Sequence, residues 1–513
     1  MDSKTEPGGS QPISSVIIVG GGVAGWTAAV SIAHALRGQG LKIIVVDNDA
    51  PVKLQAMATL PITLAFHQRL GIDEQSLMRE TGATFRLGTQ FRDWLKPGQR
   101  YFHPLGAHGA SIEFVHFHNF AAKARQMGDP TPFSDYSLCA AAAKLGRFTH
   151  PSSDPNSILS TLVYAHHLDC DLYAALMRKH AEANGVTALK ARVSDVDVQA
   201  SNGFIRSLAL DNGAKLEADL FIDCSGNESI LMGRALQVGY EDWSEWLPAN
   251  RVVSASGPAT DAAPRTDVTA VDGGWHQCIP LHHRQAHKFV FNGHQLGDDE
   301  AIDAQQKAAG LAAGSETQIS GFRNGHRLKF WSGNCIALGP AAGFLEPLED
   351  SGHALLQSGL MRLMSMFPDR SCNPLIADEY NQVTLAEYEN IRDFLILHYQ
   401  ATGRRESPFW NAYRAQPVPD SLAHKIRLFK SHGQVAFYEE ESFPETSWVS
   451  VWLGQDQWPA GYDLMLDNYD FERLKTRFEQ MRTIIRQAAQ SMPEHPAYLA
   501  RFCAGTAAAT ANS

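Results

Sequence analysis

Val19-Gly20-Gly21-Gly22-Val23-Ala24-Gly25-Trp26 follows the first apolar run of the chain, and the next apolar run, residues 41–46, ends on Asp47. This order predicts a strand, a glycine turn, a helix and a second strand that ends in a carboxylate. Gly20 permits the tight turn, Gly22 lets backbone N–H groups approach a pyrophosphate, and Gly25 lets the helix pack closely on the strand.

The N-terminus of the predicted helix offers unpaired N–H donors and the positive end of a dipole to phosphates. Asp47 is placed to accept hydrogen bonds from ribose hydroxyls. A lone Gly-x-Gly-x-x-Gly also occurs in ordinary glycine-rich turns, but here the flanking strands and the acid favour a dinucleotide site. The residues expected to bind the cofactor in this unit are Gly20, Gly22, Val23, Ala24, Gly25 and Asp47.

The composition is that of a globular enzyme, with 44% hydrophobic and 19% charged residues. A chain of 513 residues exceeds what a single core usually supports, so two or more structural units are expected. The net charge of −11, without a long block of like charges, makes nucleic acids and anionic membranes poor candidates as partners. No apolar run is long enough to cross a membrane.

The cysteines and the chain ends point to a reducing compartment. Seven scattered cysteines without a Cys-x-x-Cys pair indicate free thiols in the cytoplasm, and neither a zinc site nor a disulfide framework. The first residues lack the apolar core of a signal peptide. We expect a disordered lead at 1–13, a disordered tail at 504–513, no metal and a cytoplasmic location.

Hydrophobic periodicity predicts helices over 61–80 and 171–184, the second ending near Gly185. Residues 188–198 and 205–210 read as strands, with a hairpin turn at 211–213. From about residue 353 the chain is expected to be mainly helical.

Two further strands that end in glycine-containing loops distinguish FAD binding from simple NAD binding. A strand closes on Asp223-Cys224-Ser225-Gly226, and a later one, Cys335 to Leu338, leads into Gly339-Pro340-Ala341-Ala342-Gly343. A dehydrogenase needs only the first unit, whereas a two-domain flavoprotein uses a mid-chain strand end and a late glycine-rich helix start as well. Asp223, Gly226, Leu338 and Gly339 are therefore further cofactor-binding candidates. No second complete Gly-x-Gly-x-x-Gly indicates an NAD(P)H site.

The predicted fold is α/β: an FAD-binding Rossmann-like domain of the flavin monooxygenase type, interleaved with a β-sheet substrate region and a mainly helical C-terminal region. We predict a discontinuous FAD-binding domain from 14–95, 155–235 and 325–370. The substrate-binding and helical domain takes 96–154, 236–324 and 371–503.

From about residue 15 to 460 the chain resembles the flavin-dependent tryptophan halogenases, as a divergent member. The matching segments, in order, are residues 20–26, Leu70-Gly71-Ile72-Asp73-Glu74, Ala83-Thr84-Phe85, residues 165–169, residues 221–226, Trp275, residues 279–281, Asn334-Cys335, residues 343–349, residues 391–399 and Ser407-Pro408-Phe409-Trp410.

The resemblance implies an enzyme that takes reduced FAD from a separate flavin reductase. Oxygen and halide then give hypohalous acid, which crosses a tunnel to a lysine beside the aromatic substrate, where a glutamate assists electrophilic substitution. Apolar walls keep water from consuming the oxidant. The family glutamate corresponds to Glu349, which could instead be a carboxylate that stabilises a helix start. Ser351 and Gly352 match the backbone pair that holds halide beside the flavin.

Three departures from the family motifs surround this chemistry. Arg86 stands where the family has its lysine; a guanidinium stays protonated and cannot act as a neutral amine, but it can hold hypohalite, bind a substrate carboxylate or pair with an acid. Gln277 replaces the second tryptophan of a Trp-x-Trp-x-Ile-Pro motif that keeps the family from acting as monooxygenases. The Gly-Val-Gly-Glu-Ala-Thr flavin loop becomes residues 54–59, with both glycines lost.

The remaining singled-out side chains are expected to be structural. His103 and His398 match family positions that look structural, and the pairs His166-His167 and His282-His283 have no acidic partner at metal spacing. The tryptophans at 410, 448 and 452 are expected in the core or the substrate wall.

Three functions remain open at this point. The first is halogenation of tryptophan or of an indole-like or peptide-borne aromatic, with Arg86 and Glu349 as catalytic residues. The second is a halide-independent flavin monooxygenase, and the third is a non-catalytic flavoprotein. A homodimer is also left open.

Overall fold

A computed structural model describes residues 11–48, 54–261, 263–405 and 407–504. Of the predicted disordered lead and tail, residues 1–10 and 505–513 lie outside the described residues. Residues 11–13 pack on the fold, since Pro12 forms a bridge with Asp369 and Ile13 is buried. No helix in the described ranges is both long and apolar enough to span a bilayer.

The strands of the first half of the chain are β1 Ser15–Val19, β2 Lys42–Asp47, β3 Ala56–Ala58, β4 Thr84–Arg86, β5 Gly88–Arg92, β6 Arg100–Pro104, β7 Ala165–Asp169, β8 Thr187–Lys190, β9 Val193–Val198, β10 Ile205–Leu210, β11 Lys215–Glu217 and β12 Leu220–Asp223. Those of the second half are β13 Tyr240–Asp242, β14 Arg251–Pro258, β15 Thr266–Val271, β16 Gly274–Pro280, β17 Arg284–Phe291, β18 Thr317–Gly321, β19 Gly325–Arg327, β20 Trp331–Ser332, β21 Cys335–Ala337 and β22 Gly343–Phe344.

The α-helices are α1 Val23–Ala35, α2 Ile62–Arg69, α3 Glu74–Thr81, α4 Phe117–Gln126, α5 Leu138–Lys144, α6 Cys170–Ala183, α7 Asp298–Ala309, α8 Gly352–Ser365, α9 Pro374–Gln400, α10 Pro408–Ala415, α11 Asp420–His432, α12 Glu445–Gly454, α13 Phe471–Ser491 and α14 His495–Cys503. Short 3₁₀ turns lie at 133–136, 158–161, 226–228, 339–341 and 464–468, and a π-helical turn at 230–235.

The first sheet has the strand order β20-β21-β12-β1-β2-β8 and contains the predicted dinucleotide unit. Strand β1 pairs in parallel with both β12 and β2, and only the β20 edge is antiparallel. Residues 16–19 of β1 are all buried, as expected for a central parallel strand covered on both faces. The sheet has the Rossmann-like arrangement that the sequence predicted.

The glycine turn after β1 approaches other backbone too closely for a Cβ at two positions, Gly20 and Gly25. Gly20 has a φ of +108°, and a Cβ built there would lie 2.2 Å from the carbonyl oxygen of Cys224. A Cβ on Gly25 would lie 1.7 Å from the carbonyl oxygen of Gly20. The turn therefore packs directly against the loop after β12.

A second, seven-stranded sheet has the order β18-β14-β17-β16-β15-β5-β6 and is antiparallel except where β5 meets β15. It holds Trp275 and Gln277 on β16 and Lys288 on β17. Residues 88–92, predicted within the FAD-binding unit, pair here with residues 100–104 and 266–269 of the other unit. The division into two units stays a prediction.

A small sheet, β3-β7-β4, brings together segments that are distant in the sequence. Ala58 pairs with His167, and Arg86 pairs with Ala165, on the two sides of β7. As a result, the segment that departs from the family flavin loop lies one strand away from the segment that carries Arg86.

The predicted helix over 61–80 is wrong in one respect: it is two helices, α2 and α3. Gly71 has a φ of +69°, and the Asp73 side chain accepts a hydrogen bond from the Ser76 N–H, which starts the second helix. The predicted helix over 171–184 is confirmed by α6, and the hairpin around 211–213 by β10 and β11.

The late crossing differs from the expected glycine-rich helix start. After β21 the chain makes only a 3₁₀ turn at 339–341, because Gly339 has a φ of +61° and Pro340 follows it. The next α-helix begins at Gly352. From there to residue 504 the described chain is mainly helical, which confirms the mixed α/β fold with a helical C-terminal region.

Candidate active site

Three loops meet around a first cavity of about 960 Å³ at the carboxyl ends of the central strands. They are the glycine turn after β1, the loop after β12 at Gly226, and the turn after β21 at Gly339. Such an edge, where neighbouring loops run to opposite faces of the sheet, is where ligands bind in open α/β folds. The three widely spaced sequence segments thus converge in space.

Most of the predicted cofactor residues line this cavity. Those that do are Gly20, Gly22, Val23, Ala24, Asp47, Gly226, Gly339 and Gly352. Gly25, Asp223, Leu338 and Ser351 are not among its lining residues. Gly25 serves the close approach to Gly20 described above, and the Asp223 carboxylate accepts from the Leu231 and Met232 N–H groups at 2.9 and 2.8 Å. Asp223 therefore fixes the loop after β12 without lining the cavity itself.

The glycine turn leaves room for phosphates. A Cβ on Gly22 would meet no atom within 4 Å, so the backbone is open at that position, whereas a Cβ on Gly21 would lie 1.9 Å from Cγ of Asp47. No acidic residue occupies the first turn of α1, so its dipole is free to act on an anion. The volume lies at the upper end of the range for ligand sites, roughly 300–1,000 Å³. An extended dinucleotide such as FAD fits these features.

The divergent flavin loop keeps a glycine-like backbone without glycine. Leu54, at the position of the first family glycine, has a φ of +69°. Arg284 donates to the backbone oxygen of Gln55 at 3.0 Å and to the Asp169 carboxylate at 2.7 Å. Gln55, Ala56 and Met57 line the first cavity. Hydrogen bonds from the Arg284 side chain thus hold this backbone in place where the family has glycines.

A buried ion pair forms part of the cavity wall. The ammonium of Lys288 donates to Asp350 Oδ1 at 2.9 Å, and the Gln277 amide donates to Asp350 Oδ2 at 2.8 Å. Lys288 and Asp350 both line the cavity. Gln277, which replaces the second family tryptophan, therefore holds a carboxylate directly before the Ser351-Gly352 backbone.

Arg86 is 1% exposed, and both of its terminal nitrogens donate a hydrogen bond. It donates to the Thr59 carbonyl at 2.7 Å and to the Thr89 hydroxyl at 2.8 Å, and its Nη2 lies 3.6 Å from Glu349 Oε2. Its Nε–H has no hydrogen-bond partner among the described residues. Burial lowers the pKa of the guanidinium, and the charges of Glu349 and Asp350 oppose that shift.

Glu349 is equally buried and is held by two histidines. Its Oε1 lies 2.8 Å from Nδ1 of His103 and 3.2 Å from Nε2 of His398. Burial by itself raises the pKa of this carboxyl, but His103 and His398 outweigh burial and keep the pKa well below its ordinary value. Glu349 is therefore an ionised carboxylate at neutral pH.

A second cavity of about 610 Å³ is separated from Glu349 by His103. His103 lines it, together with Leu60, Leu105, Ala354 and Phe443. Pro347 and Asp350, close to Glu349 in the chain, line the first cavity instead. The Arg86–Glu349 pair thus lies between the two cavities, and neither side chain is part of either wall.

Glu346 forms another buried carboxylate site three residues earlier. The hydroxyls of Tyr399 and Tyr413 both donate to it, Tyr413 at 2.7 Å, and the indole N–H of Trp275 donates to the Tyr399 hydroxyl at 2.9 Å. Burial raises the pKa of Glu346 to about 7, and the two tyrosine hydrogen bonds limit the rise. The sequence-derived site missed this cluster.

The prediction that His103 and His398 are structural is incomplete, since both contact Glu349. Lys288 and Thr89 were also missed as neighbours of the site. The available signal was strand parity: Thr89 and His103 are directly paired in β5 and β6, which places their side chains on one face. Other histidines do have acidic partners, such as His166 with Glu74 at 2.9 Å. In the described ranges no group of His, Cys, Asp and Glu is arranged to hold a metal.

Comparisons with known proteins agree with this geometry. A family model described as tryptophan halogenase matches residues 15–470. The tryptophan 6-halogenase of Streptomyces albogriseolus is 30% identical over 446 residues, which cover 82% of each chain. Tryptophan 7-halogenase of Lentzea aerocolonigenes is 29% identical, covering 82% of this chain and 83% of the relative.

A solved flavin-dependent halogenase from Brevundimonas sp. BAL3 superposes with a TM-score of 0.92 at 39% identity. The superposition covers 96% of this chain and 99% of that one. Another from Xanthomonas campestris gives the same TM-score and coverage at 36% identity.

Proposed function

This chain belongs to the tryptophan halogenase family, and from that membership we propose that it halogenates an aromatic ring at the Arg86–Glu349 pair. The protein is a flavin-dependent oxidoreductase that uses reduced FAD, oxygen and halide. The observation that carries the proposal is the placement of Arg86 and Glu349, 3.6 Å apart, between two cavities.

The first cavity is the proposed cofactor site. The turn at Gly20–Ala24 and Asp47 would hold the ADP half, and the segments at Gly339 and Gly352 the other half. Bound there, reduced FAD supplies the two electrons by which O₂, halide and one proton yield hypohalous acid and water. The wall at Asp350 would place that chemistry on the near side of Glu349.

Arg86 is proposed to hold the oxidant. Three of its contacts fix the guanidinium plane, and the unpartnered Nε–H is a donor that an oxygen of hypohalous acid can accept from. An arginine cannot become a neutral nucleophile, so no bond forms between its nitrogen and the halogen in this account. Its role is to orient the oxidant and stabilise the oxygen as it leaves as water.

Glu349 is proposed to accept the proton from the ring. Replacement of an aromatic hydrogen by halogen releases one proton, and the HO group of the oxidant needs one proton to leave as water; Glu349 takes up the ring proton and returns it to the HO group. An ionised carboxylate is a suitable base, and His103, whose Nδ1 lies 2.8 Å from Glu349 Oε1, holds that carboxylate in place.

The buried pair also sets a requirement. Because Arg86 and Glu349 are each about 1% exposed, hypohalous acid reaches them only if neighbouring side chains shift locally. The passage is therefore narrow, which protects the oxidant from bulk water and from other targets.

A halide-independent monooxygenase is the second candidate, and one feature favours it. Gln277 replaces the family tryptophan and holds the Asp350 carboxylate at the cavity wall, directly before the proposed halide-binding backbone. A carboxylate there opposes an anion, although Lys288 at 2.9 Å offsets its charge.

Mass spectrometry of the products separates the two candidates. The protein is incubated with a flavin reductase, NADH, oxygen and an indole, with chloride or bromide. The proposal expects products with the isotope pattern of the halide supplied. A gain of one oxygen atom that does not depend on halide would contradict it and support the second candidate.

Some partners are those of the enzyme class, and others are proposed for this chain. A separate flavin reductase, halide and an aromatic substrate are the partners of this enzyme class. We propose further that the ring is either free or carried by a peptide, and that the chain forms a homodimer. Product analysis with free and peptide-borne indoles, and light scattering of the purified protein, test these two points.

A cytoplasmic location belongs to the same proposal. All seven cysteines are free, four of them buried. Such thiols suit a reducing compartment, where NADH-dependent reductases also supply reduced flavin. Cell fractionation with a compartment marker tests the location.

A further inference from the structure

The second cavity has an apolar end and an acidic end. Leu60, Leu105 and Phe443 form the apolar end beside His103, and Phe443 stacks on Phe394 with ring centroids 4.2 Å apart. Such a surface accepts an aromatic ring. The other end is lined by Glu387 and by the consecutive acids Glu439 to Glu441.

Two of these four acids are already neutralised by the protein. Glu387 accepts from Arg362 at 3.0 Å and from the hydroxyls of Ser358 and Ser442. Glu441 accepts from the buried ammonium of Lys425. These pairs build the wall and leave no net charge for a ligand to meet.

The other two acids are uncompensated. Neither Glu439, which is exposed, nor Glu440, which is half-buried, forms an ion pair with any described residue. Apart from His103, the basic side chain among the described lining residues is Arg362, which is paired with Glu387. The acidic end therefore carries two negative charges. It attracts a cation and repels a carboxylate.

His103 supplies an independent sign that a ligand belongs here. The ring is 2% exposed, and in the neutral tautomer that donates from Nδ1 to Glu349 the Nε2 atom is an acceptor. This Nε2 is buried without a partner among the described residues, on the side of the ring away from Glu349. A buried, unpaired acceptor on a cavity wall calls for a donor from a bound molecule.

We propose that the second cavity takes an aromatic amine: a ring whose N–H or O–H donates to His103 Nε2, with a cationic group that meets Glu439 and Glu440 and no free carboxylate. This inference rests on the proposed function, since it assigns the substrate class of the same site. It excludes a free amino acid as the preferred substrate, because its carboxylate would face the acidic end.

The test is calorimetric binding to the FAD-loaded protein at low ionic strength, with three indoles of similar size. Tryptamine carries the cation, indole-3-propionate carries an anion, and 1-methyltryptamine lacks the ring donor. We expect tryptamine to bind about tenfold or more tightly than either of the others. Equal affinities for tryptamine and indole-3-propionate would overturn the inference.

A charge-matched pair of variants locates the effect. The double substitution E439Q/E440Q should reduce the preference for tryptamine over indole-3-propionate about tenfold, whereas E217Q/E479Q, on exposed acids elsewhere, should leave it unchanged. An unchanged preference in E439Q/E440Q would refute the assignment of the acidic end. Failure of the protein to bind FAD would instead reject the proposed function, so the two failures are distinguishable.

Discussion

Arg86, on β4, and Glu349, in the connection between β22 and α8, are 263 positions apart in the sequence, yet their charged groups approach to 3.6 Å with both side chains almost fully buried. Replacing one member of such a buried ion pair destabilises the fold far more than replacing both with apolar residues. This asymmetry makes the pair measurable through the free energy of unfolding.

A double-mutant cycle tests that coupling. Arg86→Met and Glu349→Gln should each cost about 3–5 kcal/mol in urea unfolding, and the double variant should cost less than their sum by more than about 1 kcal/mol. The exposed pair Arg178–Glu182, at 2.9 Å, is the control, with an expected coupling of about 0.3–0.5 kcal/mol. If the two single-variant costs simply add in the double variant, the contact between Arg86 and Glu349 contributes no coupling energy.

Alanine at two glycines of the first turn should have different effects, one on FAD affinity and the other on stability. Gly22→Ala should fold normally, because its Cβ meets no protein atom within 4 Å, but should bind FAD about tenfold or more weakly. Gly25→Ala should unfold at lower urea, because its Cβ would lie 1.7 Å from the Gly20 carbonyl oxygen. FAD titration and urea unfolding of both variants decide this; normal FAD affinity in Gly22→Ala would argue against the phosphate site.

Removing Lys288 should weaken halide use. Lys288→Gln leaves the Asp350 charge without its 2.9 Å counter-ion beside the proposed halide backbone, so KM for chloride should rise by about fivefold or more. Lys307→Gln, on the exposed face of α7, is the matched control and should leave KM unchanged. The measurement is the initial halogenation rate against chloride concentration, and an unaltered KM in Lys288→Gln would disprove a role for this charge.

Glu346 should make the fold less stable as pH rises. Its pKa of about 7 in the fold exceeds the ordinary 4.5, so the folded state binds more protons between those values and stability falls across that window. From pH 5 to pH 8 the wild type should lose about 3 kcal/mol more than Glu346→Gln, which cannot ionise. Urea unfolding at both pH values gives the comparison. Parallel pH dependence in the two proteins would mean that Glu346 does not titrate in this range.

The sequence predicted best what depends on local spacing. The run from Val19 to Trp26 and the acid at Asp47 specify a strand, a turn and a helix within one short unit, and the structure has all three. The three glycine-containing loops also converge as expected. By contrast, one helix was predicted over 61–80 because its apolar periodicity continues through Gly71, where the positive φ and the Asp73 cap interrupt it.

Contacts between distant segments could not be predicted from spacing. The sequence identified Arg86 and Glu349 through resemblance, but not that β5 and β6 place His103 on the Glu349 carboxylate. Lys288 and Gln277 meet Asp350 only because β16 and β17 are neighbours in the second sheet. The positive φ of Leu54 could not be predicted from a sequence that lacks the family glycine, nor could the hydrogen bond from Arg284 to the next residue, Gln55.

The central claim is that oxidant made in the first cavity is used at Arg86, and one measurement tests it directly. Arg86→Gln and Arg86→Lys are assayed with reductase, NADH, oxygen and bromide, while both brominated indole and free hypobromous acid, trapped by taurine, are quantified. The account predicts that Arg86→Gln still makes hypobromous acid but brominates indole about 100-fold more slowly, whereas Arg86→Lys keeps substantial bromination. Wild-type bromination by Arg86→Gln would contradict the account.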